Sequence, residues 1–319
     1  MIFEKQIVDG YRSMMYKRCD DTETVFYFSS KDFPTLHSDP FSIPSSMGHT
    51  LAGRVYYYDD PKADRLVVYD HGFGGGHLAY MKEIELLCRN RYTVIAYDHT
   101  GCMESGGESP NGLAQSLRDL NDCINAVKSD ERFSGFSISV MGHSWGAFST
   151  LNISALHPDI THVVAMCGFV SVEEMIKSFF SGMLSPYRKP VMSLERKSNP
   201  DFADFNAVES LKNSDVKALL IYSSDDKLCR RKHYDILKAS LNEKDNIHFL
   251  LIDKKGHNPN YTEDAVKYLA EFVKKRGKLL KKKNLTPDEK AKFVASFDWD
   301  RMTEQDSDVW EKIISHLEK

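Results

Sequence analysis

A repeated alternation of short apolar runs and longer helical stretches limits this chain to few folds. The apolar runs are rich in β-branched and aromatic residues and predict strands at 65–70, 92–98, 136–141, 162–167, 217–223 and 246–252. Nearly continuous apolar runs of this length are typical of strands buried on both faces of a parallel sheet. Helical spacing lies between them, at 78–90, 112–129 and 145–156. The pattern predicts an α/β, doubly wound sheet flanked by helices.

Other regions are expected around this core. Residues 24–29 and 49–59 are predicted to form antiparallel strands at one edge of the sheet, so that the sheet is mostly parallel. Residues 171–214 are much longer than an ordinary connection and contain their own apolar residues, which predicts a small cap or lid insertion. We therefore divide the chain into an N-terminal segment with an edge strand (1–44), an α/β core (45–170 and 215–277), the cap (171–214) and a C-terminal helical extension (278–319).

Composition narrows the classes of partner. The formal net charge of the 319 residues is −4, which gives no reason to expect nucleic acid or an anionic membrane as a partner. No stretch approaches the roughly 20 apolar residues that cross a bilayer. The sequence starts without the basic and apolar pattern of a secretory signal, and its six cysteines are scattered, so we expect reduced thiols and a cytoplasmic location. The C-terminal helices could pack on the core or on a second subunit, which leaves a homo-oligomer open.

The motif Gly142-His143-Ser144-Trp145-Gly146 directly follows one predicted strand and directly precedes a predicted helix. In such a turn the glycines allow close backbone packing, and the serine Oγ is held out at the C-terminal edge of the sheet. A serine that only caps a helix would also fit this position. The placement after the strand favours Ser144 as a nucleophile.

A serine hydroxyl needs a base within reach and a third group that orients the base. Strand 217–223 is followed by Asp225 and Asp226, and strand 246–252 is followed by His257. Loops at the C-terminal ends of parallel strands converge on one crevice. We therefore expect His257 and one of the two aspartates to lie beside Ser144.

The glycine-rich loop His71–His77 follows strand 65–70. A loop in this place can direct a backbone N–H at the oxygen of a tetrahedral intermediate. The predicted donors are the amides of Phe73 and of Trp145, the residue after the nucleophile.

Over about residues 45–275 these landmarks resemble the α/β-hydrolase superfamily, in particular its serine esterase and monoacylglycerol-lipase-like members. The run 97–106 is similar to the Asp-x-x-Gly-x-Gly-x-Ser loop of that family, although Met103 and Glu104 depart from it. The resemblance implies an eight-stranded type of sheet and Asp226 as the acid. It also implies a cap over an acyl pocket; the predicted lining residues are Phe179, Phe180, Met183 and Leu184.

The predicted activity is hydrolysis of a carboxylic ester with a small or medium apolar acyl group, through an acyl-enzyme and without a metal or cofactor. An amide, peptide or thioester substrate stays open, as does a non-catalytic binding protein of the same fold. A remote alternative is a Rossmann NAD-dependent dehydrogenase, because 74–79 matches a relaxed dinucleotide fingerprint and Asp98 ends the next strand.

Overall fold

A computed structural model describes residues 3–319 of the chain. Its eight strands are β1 (His37–Pro44), β2 (Thr50–Tyr57), β3 (Arg65–Asp70), β4 (Thr93–Tyr97), β5 (Ser137–His143), β6 (His162–Met166), β7 (Lys217–Ser223) and β8 (Ile247–Ile252). They form one sheet in the order β1-β2-β4-β3-β5-β6-β7-β8. Strand β2 is antiparallel to both β1 and β4, and all other neighbouring strands are parallel. The prediction of a mostly parallel α/β sheet is confirmed.

Helices occupy the connections and the C-terminal region. They are α1 (Glu4–Met15), α2 (Met81–Arg89), α3 (Gln115–Ser129), α4 (Trp145–Asn152), α5 (Val172–Phe179), α6 (Arg188–Ser198), α7 (Ala207–Lys212), α8 (Lys232–Leu241), α9 (Glu263–Leu279), α10 (Pro287–Ala295), α11 (Trp299–Met302) and α12 (Ser307–Leu317). Among residues 3–319, none of them has the length and apolar character needed to cross a membrane.

The central strands are buried on both faces, because alternate residues of one strand enter two different cores. In β3, Val68 belongs to the core that α3 and α4 cover, together with Leu120. Its neighbour Val67 belongs to the opposite core, together with Ile84 of α2 and Ile313 of α12. This two-sided burial explains why the central parallel strands carry nearly continuous apolar runs rather than a strict alternation.

The predicted strand at 24–29 is wrong, because these residues form irregular structure. Phe26 and Phe28 pack against other aromatic rings, with centroid distances of 6.0 Å between Phe26 and Trp299 and 6.0 Å between Phe28 and Phe33. The edge strand of this region is β1, whose signal is obscured by two prolines. An edge strand tolerates proline because part of its backbone has no ladder partner.

The last helices take two different positions. Helix α9 contributes Phe272 to a satellite cluster, in which its ring contacts Phe293 and Trp299 at centroid distances of 5.6 and 5.1 Å. Helix α12 instead returns to the sheet and buries its apolar side there. An Arg65 Nη1 donates to the Leu317 carbonyl at 3.0 Å and so ties the end of α12 to β3.

Residues 171–214 contain α5, a 3-10 turn at Gly182–Tyr187, α6 and α7. Helix α1 packs against this insertion through Tyr11, whose hydroxyl donates to Glu195 Oε1 at 2.7 Å and whose ring lies 6.1 Å from that of Phe180. Tyr16 also donates to Glu195 Oε1, at 3.3 Å. The N-terminal helix is thus anchored on the insertion.

Candidate active site

The turn between β5 and α4 holds Ser144 in an unusual backbone conformation, with φ 57° and ψ −109°. A non-glycine residue adopts such a conformation only where its surroundings enforce it. Here the surroundings are tight on both sides. A Cβ added to Gly142 would lie 2.3 Å from Thr150 Oγ1, and one added to Gly146 would lie 2.1 Å from the Asp70 carbonyl oxygen. The two glycines let β3, β5 and α4 approach closely enough to force the turn, and Ser144 remains partly exposed.

Ser144, His257 and Asp226 lie in one hydrogen-bonded line. His257 Nε2 is 2.8 Å from Ser144 Oγ, and His257 Nδ1 is 2.7 Å from Asp226 Oδ2. The Asp226 side chain is fully buried and its other oxygen accepts from the Leu228 amide at 2.8 Å. A carboxylate facing Nδ1 keeps the proton on that nitrogen, so that Nε2 is free to accept from the serine hydroxyl.

Asp225 has a different set of partners. Its Oδ1 accepts from Ser223 Oγ at 2.6 Å and from the Gly256 amide at 3.0 Å. The hydrogen bond from Ser223 lowers the pKa of Asp225, although burial works in the opposite direction. Asp225 therefore joins the loop after β7 to the loop after β8, while Asp226 is the aspartate that contacts His257.

The predicted oxyanion donors lie on neighbouring segments. Trp145 is the first residue of α4, and an amide in the first turn of a helix has no acceptor within the helix. The Phe73 ring packs edge-on against the Trp145 ring, with centroids 5.1 Å apart. The glycine-rich loop is anchored to the residue that follows β4, because the His77 amide donates to Asp98 Oδ1 at 2.8 Å.

A chain of hydrogen bonds that the sequence did not indicate connects three loops of the site. The Gly72 amide donates to the Tyr80 hydroxyl at 3.0 Å, and that hydroxyl is 2.9 Å from His143 Nδ1. His143 Nε2 lies 2.7 Å from the His257 carbonyl oxygen. Burial lowers the pKa of His143 to about 3, so its ring is neutral at ordinary pH.

The direction of this chain follows from its ends. A carbonyl oxygen only accepts, so His143 Nε2 carries the proton and Nδ1 is the acceptor. The Tyr80 hydroxyl then accepts from Gly72 and donates to His143. The glycine-rich loop, the turn at Ser144 and the loop that carries His257 are thereby linked through two side chains. We find no pattern in the sequence that would have singled out Tyr80.

A buried ion pair network supports the same region. His99 Nε2 is 2.7 Å from Asp70 Oδ1, and His99 Nδ1 is 3.2 Å from Asp119 Oδ2, with all three side chains fully buried. Burial alone would lower the pKa of His99, but the two carboxylates outweigh it and raise the pKa to about 9. The His99 ring lies 4.6 Å from that of Trp145. His99 is thus a charged side chain that packs against Trp145, the residue after Ser144.

The four residues predicted to line an acyl pocket are placed differently from one another. Phe179 is partly buried in the main core, and Phe180 is buried against Tyr11. Met183 is 95% exposed and Leu184 is 40% exposed. Their role in substrate binding stays a prediction.

Within residues 3–319, one group of acidic, histidine or cysteine side chains has metal-binding geometry: Cys167, Asp226 and His257, with ligand atoms within 4.8 Å of one another. Asp226 and His257 already hydrogen bond to each other, and His257 also hydrogen bonds to Ser144. The surroundings of the glycine-rich loop also disagree with a dinucleotide site. The carboxylate of Asp98 is occupied by His77, and the α-helix after the loop begins only at Met81.

Comparison with known proteins gives the same fold. The family model described as serine aminopeptidase, S33, matches residues 61–209. The uncharacterized protein YqkD of Bacillus subtilis is 25% identical over 179 residues, and the match spans 55% of this chain and 55% of that protein.

Solved structures resemble the chain over most of its length. The esterase Pf2001 of Pyrococcus furiosus superposes with a TM-score of 0.60 at 19% identity, covering 82% of this chain and 98% of that one. A putative dienelactone hydrolase from Klebsiella pneumoniae gives a TM-score of 0.56 at 14% identity, covering 89% and 99%. The strand order, the turn at Ser144 and these similarities show that the chain has the α/β-hydrolase fold.

Proposed function

We propose that this protein is a serine hydrolase that cleaves carboxylic esters through a covalent acyl-enzyme. The observation that carries the proposal is the line of contacts from Asp226 through His257 to Ser144, with distances of 2.7 and 2.8 Å. These lengths are those of hydrogen bonds through which a proton can pass. The similarity to the esterase Pf2001 supports the same reaction class.

In the proposed reaction His257 takes the proton of Ser144 as Oγ attacks the ester carbonyl carbon. Asp226 keeps the imidazole in the required tautomer and stabilises the imidazolium that forms. The amides of Phe73 and Trp145 hold the negative oxygen of the tetrahedral intermediate. His257 then protonates the departing alcohol, and a water molecule, deprotonated by His257, cleaves the acyl-enzyme and regenerates Ser144.

We further propose that residues 171–214 act as a cap beside this site. The segment is largely helical, and it follows β6, whose last residue, Met166, accepts from the Ser144 amide at 2.8 Å. Its acyl-binding residues would come from Phe179, Phe180, Met183 and Leu184, and a small or medium apolar acyl group would suit them.

Hydrolysis of p-nitrophenyl esters from acetate to decanoate tests the proposal, with the wild type compared to Ser144→Ala. We expect activity in the wild type and a loss of about a thousandfold or more in the variant. The chain length with the highest kcat/KM gives the size of the acyl group. A wild type that is inert on every ester and does not react with a fluorophosphonate probe would favour a non-catalytic binding protein.

A second candidate is cleavage of a peptide or amide by the same three residues. It is favoured by the match of residues 61–209 to the serine aminopeptidase family model. Aminoacyl-p-nitroanilides tested beside the ester series separate the two. A kcat/KM for the anilides that exceeds that for every ester, and that is also lost in Ser144→Ala, would establish the aminopeptidase.

A further inference from the structure

Cys19 and Cys102, which are distant in sequence, lie side by side near the glycine-rich loop. The Cys19 amide donates to the Gly101 carbonyl at 2.9 Å, and the Met103 amide donates to the Cys19 carbonyl at 3.0 Å. These two bonds form an isolated parallel bridge in which Cys19 lies directly opposite Cys102. Backbones paired in this way are about 4.8 Å apart and direct the paired side chains to the same face. Disulfides span Cα separations of roughly 4.4–6.8 Å, so the pair has the spacing that a disulfide needs.

The two thiols differ in their chemistry. A hydrogen bond from the Cys102 thiol lowers the pKa of Cys19, with burial opposing it and the Gly74 amide adding to the decrease. The same hydrogen bond, together with burial, raises the pKa of Cys102. Cys19 is therefore the thiol that ionises, and a thiolate is the nucleophilic form of cysteine.

Cys19 is also the accessible member of the cysteine set. It is partly exposed, whereas the other five cysteines are buried. Its neighbours Arg18 and Asp20 line an open cavity of about 760 Å³, which Met103 also borders. Burial raises the pKa of each of the four cysteines outside the pair, Cys88, Cys123, Cys167 and Cys229. Of the six cysteines, Cys19 is therefore the one most open to a small oxidant in the solvent.

We propose that Cys19 and Cys102 form a redox-sensitive pair, in which a peroxide oxidises Cys19 and Cys102 then closes an intramolecular disulfide. In the first step the Cys19 sulfur attacks one oxygen of hydrogen peroxide, the O–O bond breaks, and a sulfenic acid and hydroxide result. In the second step the Cys102 sulfur attacks the Cys19 sulfur and displaces hydroxide. The two thiol protons neutralise the two hydroxides, so two thiols and one peroxide give one disulfide and two waters.

The disulfide would change the surroundings of the glycine-rich loop. Cys19 follows Arg18, whose guanidinium donates to the carbonyls of Gly107 and Ser105 at 2.6 and 3.0 Å, so this part of the N-terminal segment already lies on the loop after β4. When the Cys19 sulfur bonds to Cys102, it no longer offers a thiolate to the Gly74 amide. A covalent link would thus replace a contact between the N-terminal segment and the oxyanion loop.

The test is oxidation of the reduced full-length chain with one equivalent of hydrogen peroxide, followed by thiol titration under denaturing conditions and peptide mapping without reductant. We expect the loss of two of the six thiols and a linked peptide pair containing Cys19 and Cys102, which reductant separates. Cys19→Ser should retain all of its remaining thiols under the same treatment. Cys88→Ser, which removes a buried cysteine elsewhere, should still form the link.

A second variant keeps the proposal testable if Cys19→Ser folds poorly. In Cys102→Ser the sulfenic acid has no partner, so dimedone should label Cys19 after peroxide treatment. The proposal is overturned if Cys102 remains a free thiol while the wild-type chain is oxidised at Cys19 or elsewhere, or if peroxide leaves all six thiols intact. Neither readout requires hydrolase activity, so the result is independent of the proposed function.

Discussion

Asp225 and Asp226 are adjacent in sequence and chemically identical, and only their surroundings separate their roles. Asp226 is buried and faces His257 Nδ1, whereas Asp225 accepts from Ser223 and from the Gly256 amide. A carboxylate next to Nδ1 sets the imidazole tautomer, and a carboxylate that bonds to a loop amide sets only the loop. The difference can be measured by removing one charge at a time.

We expect Asp226→Asn to lower kcat for ester hydrolysis by about 10⁴-fold, because an amide facing Nδ1 favours the wrong tautomer. Asp225→Asn should have a much smaller effect, since its carbonyl oxygen can still accept from Gly256. Both variants are compared at equal folded concentration. A larger loss in Asp225→Asn than in Asp226→Asn would contradict the assignment of the acid.

The glycines of this chain also differ in the space available for an added Cβ atom. We expect Gly146→Ala to reduce the free energy of unfolding by at least about 1–3 kcal/mol, because the added Cβ overlaps the Asp70 carbonyl. Gly277→Ala is the matched control: no atom lies within 4 Å of its added Cβ, and it lies in α9. There the change should stabilise the protein by roughly 0.5–1 kcal/mol. Urea unfolding measures both, and equal signs would refute the argument.

At the scale of elements, the candidate site is built from loops that follow four strands; the loop after β7 carries Asp226, and the other three are joined by one side chain. The turn after β5 carries Ser144, the loop after β3 carries Phe73, and the loop after β8 carries His257. Tyr80, directly before α2, connects all three through Gly72 and His143. Its hydroxyl touches no reacting atom and acts as a positioning group.

We expect Tyr80→Phe to lower kcat about tenfold, since about 1.4 kcal/mol of transition-state stabilisation corresponds to one such hydrogen bond. KM should change less, because the hydroxyl positions the reacting loops and does not bind substrate. Tyr92→Phe provides the control: its hydroxyl is also buried but has no hydrogen-bond partner among residues 3–319. If both variants keep wild-type kcat, the chain through Tyr80 does not position the site.

Five of the strands that the sequence predicted, β3 to β7, share almost continuous burial. Strands such as β3 and β4 have nearly continuous apolar centres because both faces are covered, and this signal is local in sequence. Strand β1 was missed because Pro40 and Pro44 mask its pattern. A strand at 24–29 was wrongly predicted, because Phe26 and Phe28 are spaced as in a strand but pack on other aromatic rings.

Contacts between distant segments had no such local signal. The choice of Asp226 over Asp225 rested on resemblance rather than on a pattern in the residues. The roles of Tyr80 and the pairing of Cys19 with Cys102 depend on the folded arrangement, and neither residue type nor spacing announces them. The Ser144 turn was predictable, because its glycines and the preceding strand are contiguous in sequence.

For the molecule as a whole, two cores share one sheet, and they are completed at different points of the chain. The core on the α3 and α4 side is built largely from residues between β1 and β8. The opposite core requires α12, which supplies Val309, Trp310, Ile313 and Leu317. Residues 307–317 are therefore part of one of the two main cores, although we predicted them as part of a C-terminal extension at 278–319.

We expect Ile313→Ala to lower the free energy of unfolding by about 2–5 kcal/mol, because the side chain is fully buried against the sheet. Val273→Ala, at a position in α9 that is 59% exposed, should stay within about 0.5 kcal/mol of the wild type. Equilibrium urea denaturation measures both. A small effect for Ile313→Ala would mean that α12 is dispensable for the sheet.

The position of α12 also affects how the protein can fold during synthesis on the ribosome. All eight described strands have been made once Ile252 is added, but one face of the sheet is covered by α2 without α12 until Leu317 follows. At the ordinary elongation rate of about 5–20 residues per second, that interval lasts roughly 3–13 seconds. During it the core that contains Val67, Val94 and Ile221 lacks the four buried side chains that α12 supplies. This face of the sheet is therefore completed only when the final turn of α12 has been synthesised.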